Sequence, residues 1–235
     1  MPTFLQSAAT LKRIYPLFAV LAIALLIANF VAGLWIGDFN AVAARKRESL
    51  TELTAVKRRV NVAPAEVEAA EAEARAADEQ LIGPRRRMTL HMLLGSTATL
   101  VVVLVNSVAI TYFIGTSRWC REVCEAYGLP LALAEQMNGL KRRTFRWALL
   151  GILTMLLVIG LGAAADPSGS NFENSASLVM PHYIAAMAAI VVVGLAFWMQ
   201  WQVIQENFVL LDEVMRGVRQ ARAERGLPTE ASAAS

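Results

Sequence analysis

Only two imidazoles occur in 235 residues, and both stand at the start of an apolar run. His91 follows Arg85, Arg86 and Arg87 and opens the run MLLGSTATLVVVLVNSVAI; His182 follows Pro181 and opens YIAAMAAIVVVGLAF. On a helix, Gly95 lies one turn beyond His91 and Thr99 two turns beyond, while Ala185, Ala186 and Ala189 run along the face of His182. Small residues one turn from an imidazole leave room for a flat group. Imidazole is a common axial ligand of haem iron, and arginines at a rim suit acidic substituents on a macrocycle. The sharpest chemistry offered by these residue types is a b-type haem with His91 and His182 as cofactor-binding ligands; the plainer reading, which ranks ahead of it, is two interfacial imidazoles hydrogen-bonded to a carbonyl or headgroup with no cofactor.

Cys120 and Cys124, in RWCREVCEAYGLP, form the other candidate cluster. Their spacing puts both thiols on one helical face, with Gly128 and Pro130 as the helix stop. A zinc site needs about four ligands, and neither histidine is near in sequence, so no metal site is expected. Asn106 and Ser107 fall in mid-run, where polar side chains hydrogen-bond between helices. With Gly95, Ser96 and Thr99, and with Gly151, Gly160 and Gly162, they are read as packing positions. No nucleotide-binding glycine pattern, zinc-protease motif or nucleophile elbow occurs. No catalytic residue is assigned, and a non-enzymatic role is expected.

The elements that must position these groups follow from charge. The chain is 56% hydrophobic and 17% charged, with mean hydropathy +0.47, more apolar surface than one soluble core of this length can hide. Residues 14–37, 88–117, 147–165 and 174–205 contain no Asp, Glu, Lys or Arg. Each is long enough to cross a hydrocarbon layer of about 30 Å as a helix, and spans are expected at 15–36, 90–114, 147–165 and 183–204. Trp35, Trp119, Trp147, Trp198 and Trp201 all fall near span ends, where the headgroup zone keeps indole dry and its N–H wet. The first apolar run exceeds a signal peptide's core, and its nearest small-x-small site, at Ala41 and Ala43, lies far downstream. It reads as an uncleaved anchor.

The segment 38–88 is of another kind. Residues 41–60 carry six basic side chains against two acidic ones, and residues 65–82 carry one basic against six acidic. Both are rich in strong helix formers; "NVAP" reads as a turn, with Pro64 in the first turn of the second arm, and Gly83-Pro84 reads as its stop. Leu50, Leu53, Val56 and Val60 supply a thin seam. The expectation is an antiparallel helical hairpin outside the membrane, one arm basic and one acidic, thin enough in apolar contact to invite a partner chain.

The fold class is therefore all-α, a four-transmembrane-helix bundle with an extramembrane hairpin between the first two spans. Its parts are an N-terminal segment with the first span (1–37), the hairpin (38–88), the second span (89–117), an amphipathic loop (118–146), the third and fourth spans (147–205) and an amphipathic C-terminal helix and tail (206–235). In an up-and-down bundle, spans two and four stand on a diagonal, and both histidines lie near the same membrane surface. The loop at 166–177 has no Lys or Arg, which favours termini in the cytoplasm and the hairpin outside; the count is narrow, twelve basic residues inside against ten outside.

The spans hold no charge, which argues against pumps and voltage sensors. The formal net charge of +3 is accounted for by membrane flanks, so nucleic acid is not an expected partner. The leading expectation is an accessory or scaffold subunit of a larger complex in a bacterial inner membrane, whose partners are the lipid bilayer and other membrane-complex subunits. The alternative is a b-type cytochrome or quinone-site subunit using His91 and His182. A membrane sensor ranks third, since no output domain follows.

Overall fold

A computed structural model describes residues 2–169 and 172–227, with side chains from Thr10 onward. Among the described residues there are five helices and no strand: α1 Pro2–Leu34, α2 Phe39–Arg58, α3 Pro64–Tyr127, α4 Leu131–Ala165 and α5 Ser175–Glu224. Four of them, α1, α3, α4 and α5, are long and apolar enough to cross a membrane. Their most apolar windows are only 11% to 33% buried against the rest of the protein. Leu17, Val20, Leu100, Leu157 and Val191 are each at least 60% exposed. Water would not tolerate that much contiguous apolar surface, whereas lipid contact satisfies it.

The helix ends have local causes. Gly37 takes φ 78° after α1, and the Asp38 side chain accepts a hydrogen bond from the Ala41 amide at 3.0 Å, capping α2. α2 stops where Asn61 enters the left-handed region at φ 66°, and Pro64, which needs no amide partner there, opens α3. α3 stops at Gly128, φ 70°, with the Leu129 amide reaching back to the Cys124 carbonyl at 2.9 Å. The expected stop at Gly128 and Pro130 is thus where α3 ends.

Two expectations are corrected. Gly83-Pro84 does not end the acidic arm: α3 runs through it into the second span. Proline restricts the residue before it largely through that residue's Cβ, which Gly83 lacks. The carbonyl that loses its partner, on Gln80, sits on an exposed residue that water can reach. The seam of the basic arm also differs. Of the expected seam only Val56 is buried, with Ser49 beside it on α2 and Ala74 and Ala77 buried on α3, while Leu50 and Val60 are 45% and 89% exposed.

Residue contacts divide the chain into two units. The first comprises Met1–Ile23, Leu100–Thr154 and Val191–Ser235. Its core is lined by Ala22, Val102, Phe113, Met137, Val193 and Ile204, all fully or nearly fully buried. A polar chain crosses it: the Tyr15 hydroxyl donates to Gln200 Oε1 at 3.1 Å, and Gln200 Nε2 donates to Asn106 Oδ1 at 2.8 Å. Asn106 Nδ2 donates in turn to the Val102 carbonyl at 2.8 Å. Gly151 of α4 packs against this amide, with Nδ2 3.3 Å from where a Cβ would stand. α1, α3 and α5 are joined by side chains that have no better partner in an apolar surround.

The second unit comprises Ala24–Thr99 and Met155–Ile190. In it α2 is tied to the N-terminal part of α3 by ion pairs Lys46–Asp78, Lys57–Glu71 (2.7 Å) and Arg59–Glu66 (2.9 Å). The α3 partner's number falls as the α2 partner's rises, the order of arms running in opposite directions. The base of α2 rests on the α4–α5 connection: Arg47 donates to the Pro167 carbonyl at 3.0 Å and lies over the Phe172 ring, and the Ser175 hydroxyl donates to Asn40 Oδ1 at 2.7 Å.

Candidate functional site

The second unit brings the two histidines together. His91 on α3 and His182 on α5 have ring centroids 6.2 Å apart and planes crossed at 79°. Each imidazole lies against a glycine of a different helix. A Cβ on Gly33 of α1 would stand 3.1 Å from His91 Cε1, and one on Gly162 of α4 would stand 2.9 Å from His182 Cε1. At 2.9 Å the His182 ring would have to shift for any other residue at 162, whereas at 33 the His91 ring would have to give by only a few tenths of an ångström.

One tautomer is fixed by geometry. His91 Nδ1 is 3.0 Å from the Asn29 backbone oxygen, and a carbonyl only accepts, so Nδ1 carries the proton and donates. The Nε2 lone pair of His91 is then left as a ligand atom, with the ring oriented as second-shell carbonyls orient metal-binding histidines. Asn29 is four residues before Gly33. On the other side His182 Nδ1 is buried without a partner.

Around the pair, two further buried atoms have no hydrogen-bond partner: Asn29 Oδ1 and Arg87 Nε. Arg87 stands one turn before His91 on α3, its guanidinium 5.9 Å from the Trp35 ring centre. Phe30 and Tyr183 close another side of the unit at 5.2 Å between ring centres.

The remaining candidates distribute differently. Cys120 and Cys124 are both free and buried, side by side in the first unit. Cys120 lies beyond the span 90–114; burial, and then the neighbouring Cys124, pushes its thiol up to about 12. That is the setting of an inert packed thiol rather than a reactive one. Among the described residues no group of three or more His, Cys, Asp or Glu side chains is placed to hold a metal ion. Asn106 packs as expected, but Ser107 and Ser96 are exposed, and a Cβ on Gly160 would meet nothing within 4 Å. Thr99 bonds its own helix, donating to the Gly95 carbonyl at 2.9 Å.

Sequence reading singled out both histidines but missed Gly33, Asn29, Tyr15 and Gln200. The signal that finds Gly33 is an internal repeat. Leu11-Lys12-Arg13 recurs as Leu140-Lys141-Arg142, and without a gap Ala19, Leu21, Ile23 and Gly33 align with Ala148, Leu150, Ile152 and Gly162. From the histidines onward the buried positions coincide too: Ala98, Val102, Phe113, Thr116 and Cys120 match Ala189, Val193, Ile204, Asn207 and Leu211. Each repeat is an apolar helix with a glycine near its C-terminal end, followed by an apolar run that opens on a histidine. The charged insertion at 38–88 belongs to the first repeat alone.

Compared with family models, curated proteins and solved structures, the chain matches none.

Proposed function

We propose that this protein is a four-span helical bundle of a bacterial inner membrane that carries a b-type haem between His91 and His182. The observation that carries the reading is the imidazole pair itself. His91 and His182, with ring centres 6.2 Å apart, would be the residues that hold the group. The His91 tautomer, which leaves Nε2 without a proton, supports the same reading. When bound, the haem would supply one-electron chemistry. The chain's part is to hold two neutral imidazoles, exclude water with apolar spans and place the redox centre near one membrane surface.

Purified in mild detergent and reduced, the protein is expected to show a Soret band between about 400 and 430 nm, characteristic of ligated haem. His91→Ala and His182→Ala should each lose it or convert it to a five-coordinate form. A colourless preparation that stays colourless after incubation with haem overturns the reading.

A second reading keeps the bundle and dispenses with the cofactor: a non-catalytic accessory subunit whose antiparallel hairpin docks other membrane-complex subunits. It is favoured by Leu50, Val60 and Ile82, which stay exposed on the arms, and by a shallow groove on α2 lined by Ala44, Arg47, Thr51 and Ala55. Proteins that co-purify from the intact membrane, and are lost when residues 45–82 are replaced by a short linker, would support it; a chain that always elutes alone counts against it.

A further inference from the structure

Arg87 is the one arginine of its triplet that the fold has drawn in. Arg85 and Arg86 are exposed, whereas Arg87 is half-buried, with its Nε covered by protein and without an acceptor. Its guanidinium lies 5.9 Å from the centre of the Trp35 ring, and it takes part in no ion pair among the described residues. The charge is held in place with no counter-charge of the protein's own. A partly desolvated cation in that state is a net cost, which an anion on its outer nitrogens offsets.

The position of the group decides what kind of anion reaches it. Arg87 stands just before the uncharged run that starts at Met88, and Trp35 stands near the end of the uncharged run of α1, so both fall at the headgroup level of a bilayer. Trp35 is 64% exposed, which puts the contact at the surface of the unit rather than inside it. Val31, one turn before Trp35, and Leu90, one turn after Arg87, are exposed apolar side chains on the membrane side of the contact. A lipid whose phosphate meets the guanidinium and whose acyl chains cover Val31 and Leu90 satisfies the charge and the apolar surface together. An interfacial position does not by itself demand this arrangement. Where the first repeat has Arg85, Arg86 and Arg87, the second has Ala176, Ser177 and Leu178, and where the first has Trp35 the second has Ala164.

We propose that Arg87 and Trp35 form a binding site for the headgroup phosphate of an anionic phospholipid. The guanidinium fork takes two phosphate oxygens in parallel, and the indole beside it restricts the fork to that position. Arg85 and Arg86 add attraction to an anionic surface without fixed geometry. The site belongs to the first repeat alone. It makes no use of the imidazole pair and stands whether or not a cofactor is bound there.

The test is native mass spectrometry of the full-length chain in a phosphate-free detergent, titrated with phosphatidylglycerol or with zwitterionic phosphatidylcholine of the same acyl chains. The first phosphatidylglycerol is expected to bind about fivefold more tightly than the first phosphatidylcholine, the order of one basic contact at a membrane surface. Arg87→Gln should remove the preference. Arg87→Lys, which keeps the charge but not the fork, should retain part of it, and Trp35→Ala should weaken it with the charge unchanged. Arg86→Gln removes an exposed charge and should leave it intact.

A preference unchanged in Arg87→Gln, or lost equally in Arg86→Gln, overturns the site and leaves only the diffuse attraction of a basic flank. Displacement of phosphatidylglycerol by inorganic phosphate overturns the lipid as occupant and gives the fork to a soluble anion. Should Arg87→Gln fail to fold, Arg87→Lys and Trp35→Ala carry the comparison, and wild-type selectivity in both overturns the site.

Discussion

At the residue scale the candidate site depends on two positions that have no side chain. Gly162 is the tighter of the two, since a Cβ there would lie 2.9 Å from His182 Cε1. Gly162→Ala must push the ring off its place, and misplacing the support of a metal ligand commonly costs about ten- to a hundredfold in affinity. Haem binding by Gly162→Ala is expected to fall about tenfold, with Gly33→Ala, at 3.1 Å from His91, the milder change. Gly160→Ala, two residues away and facing open space, should bind as wild type. If 160 and 162 behave alike, the contact is not what positions the ring. Histidine identity was legible in the sequence because two imidazoles among so many apolar residues are conspicuous. The glycines beneath them were not, because glycine is common in membrane helices and nothing local separates Gly160 from Gly162. Only the helical phase does, and the repeat fixes that phase.

At the element scale, the hairpin expected from charge is carried by two helices, α2 and the first part of α3, joined by ion pairs that remain largely exposed. Lys57, through a hydrogen bond and through its charge, holds the Glu71 carboxyl below its ordinary 4.5. A carboxyl lowered in the folded state contributes stability above its unfolded pKa and loses it as pH falls through the folded one. The two arms should therefore separate more readily as pH is lowered from 4.5 and in about 1 M salt, where screening acts over about 3 Å. The effect is small because both partners face water. Spin labels on α2 and on the first part of α3 would show the inter-label distance broaden under either condition, while the Soret band stays constant. A distance indifferent to both would mean that Ser49, Val56, Ala74 and Ala77 alone hold the arms. The sequence made the arms visible through opposite charge, and misplaced the end of the second because Gly83-Pro84 reads as a stop in isolation. Absence of a Cβ before the proline lets the helix pass.

At the scale of the whole molecule, the repeat states what the bulk composition could not: each half supplies one helix with a glycine near its end and one apolar run opened by a histidine, in the same order. With two spans per repeat, an up-and-down arrangement is expected to return the chain to its starting side and to bring both histidines near the surface from which residues 38–88 would extend. Which surface this is depends on a narrow charge balance, twelve Lys and Arg flanking one side against ten on the other. Ten of the basic residues lie in the inserted segment, while the flanks at 141–146 and 216–225 carry clusters close to span ends, where Lys and Arg count. Termini in the cytoplasm and the hairpin outside are therefore expected. Fusions of a reporter that is active only outside the membrane should be active when inserted at 61–63 and inactive when attached after 227. The opposite result would place the imidazole pair at the cytoplasmic surface. With the expected result, the pair and the inserted arms of the first repeat share the outer side, and a partner that docks on those arms would be sought there.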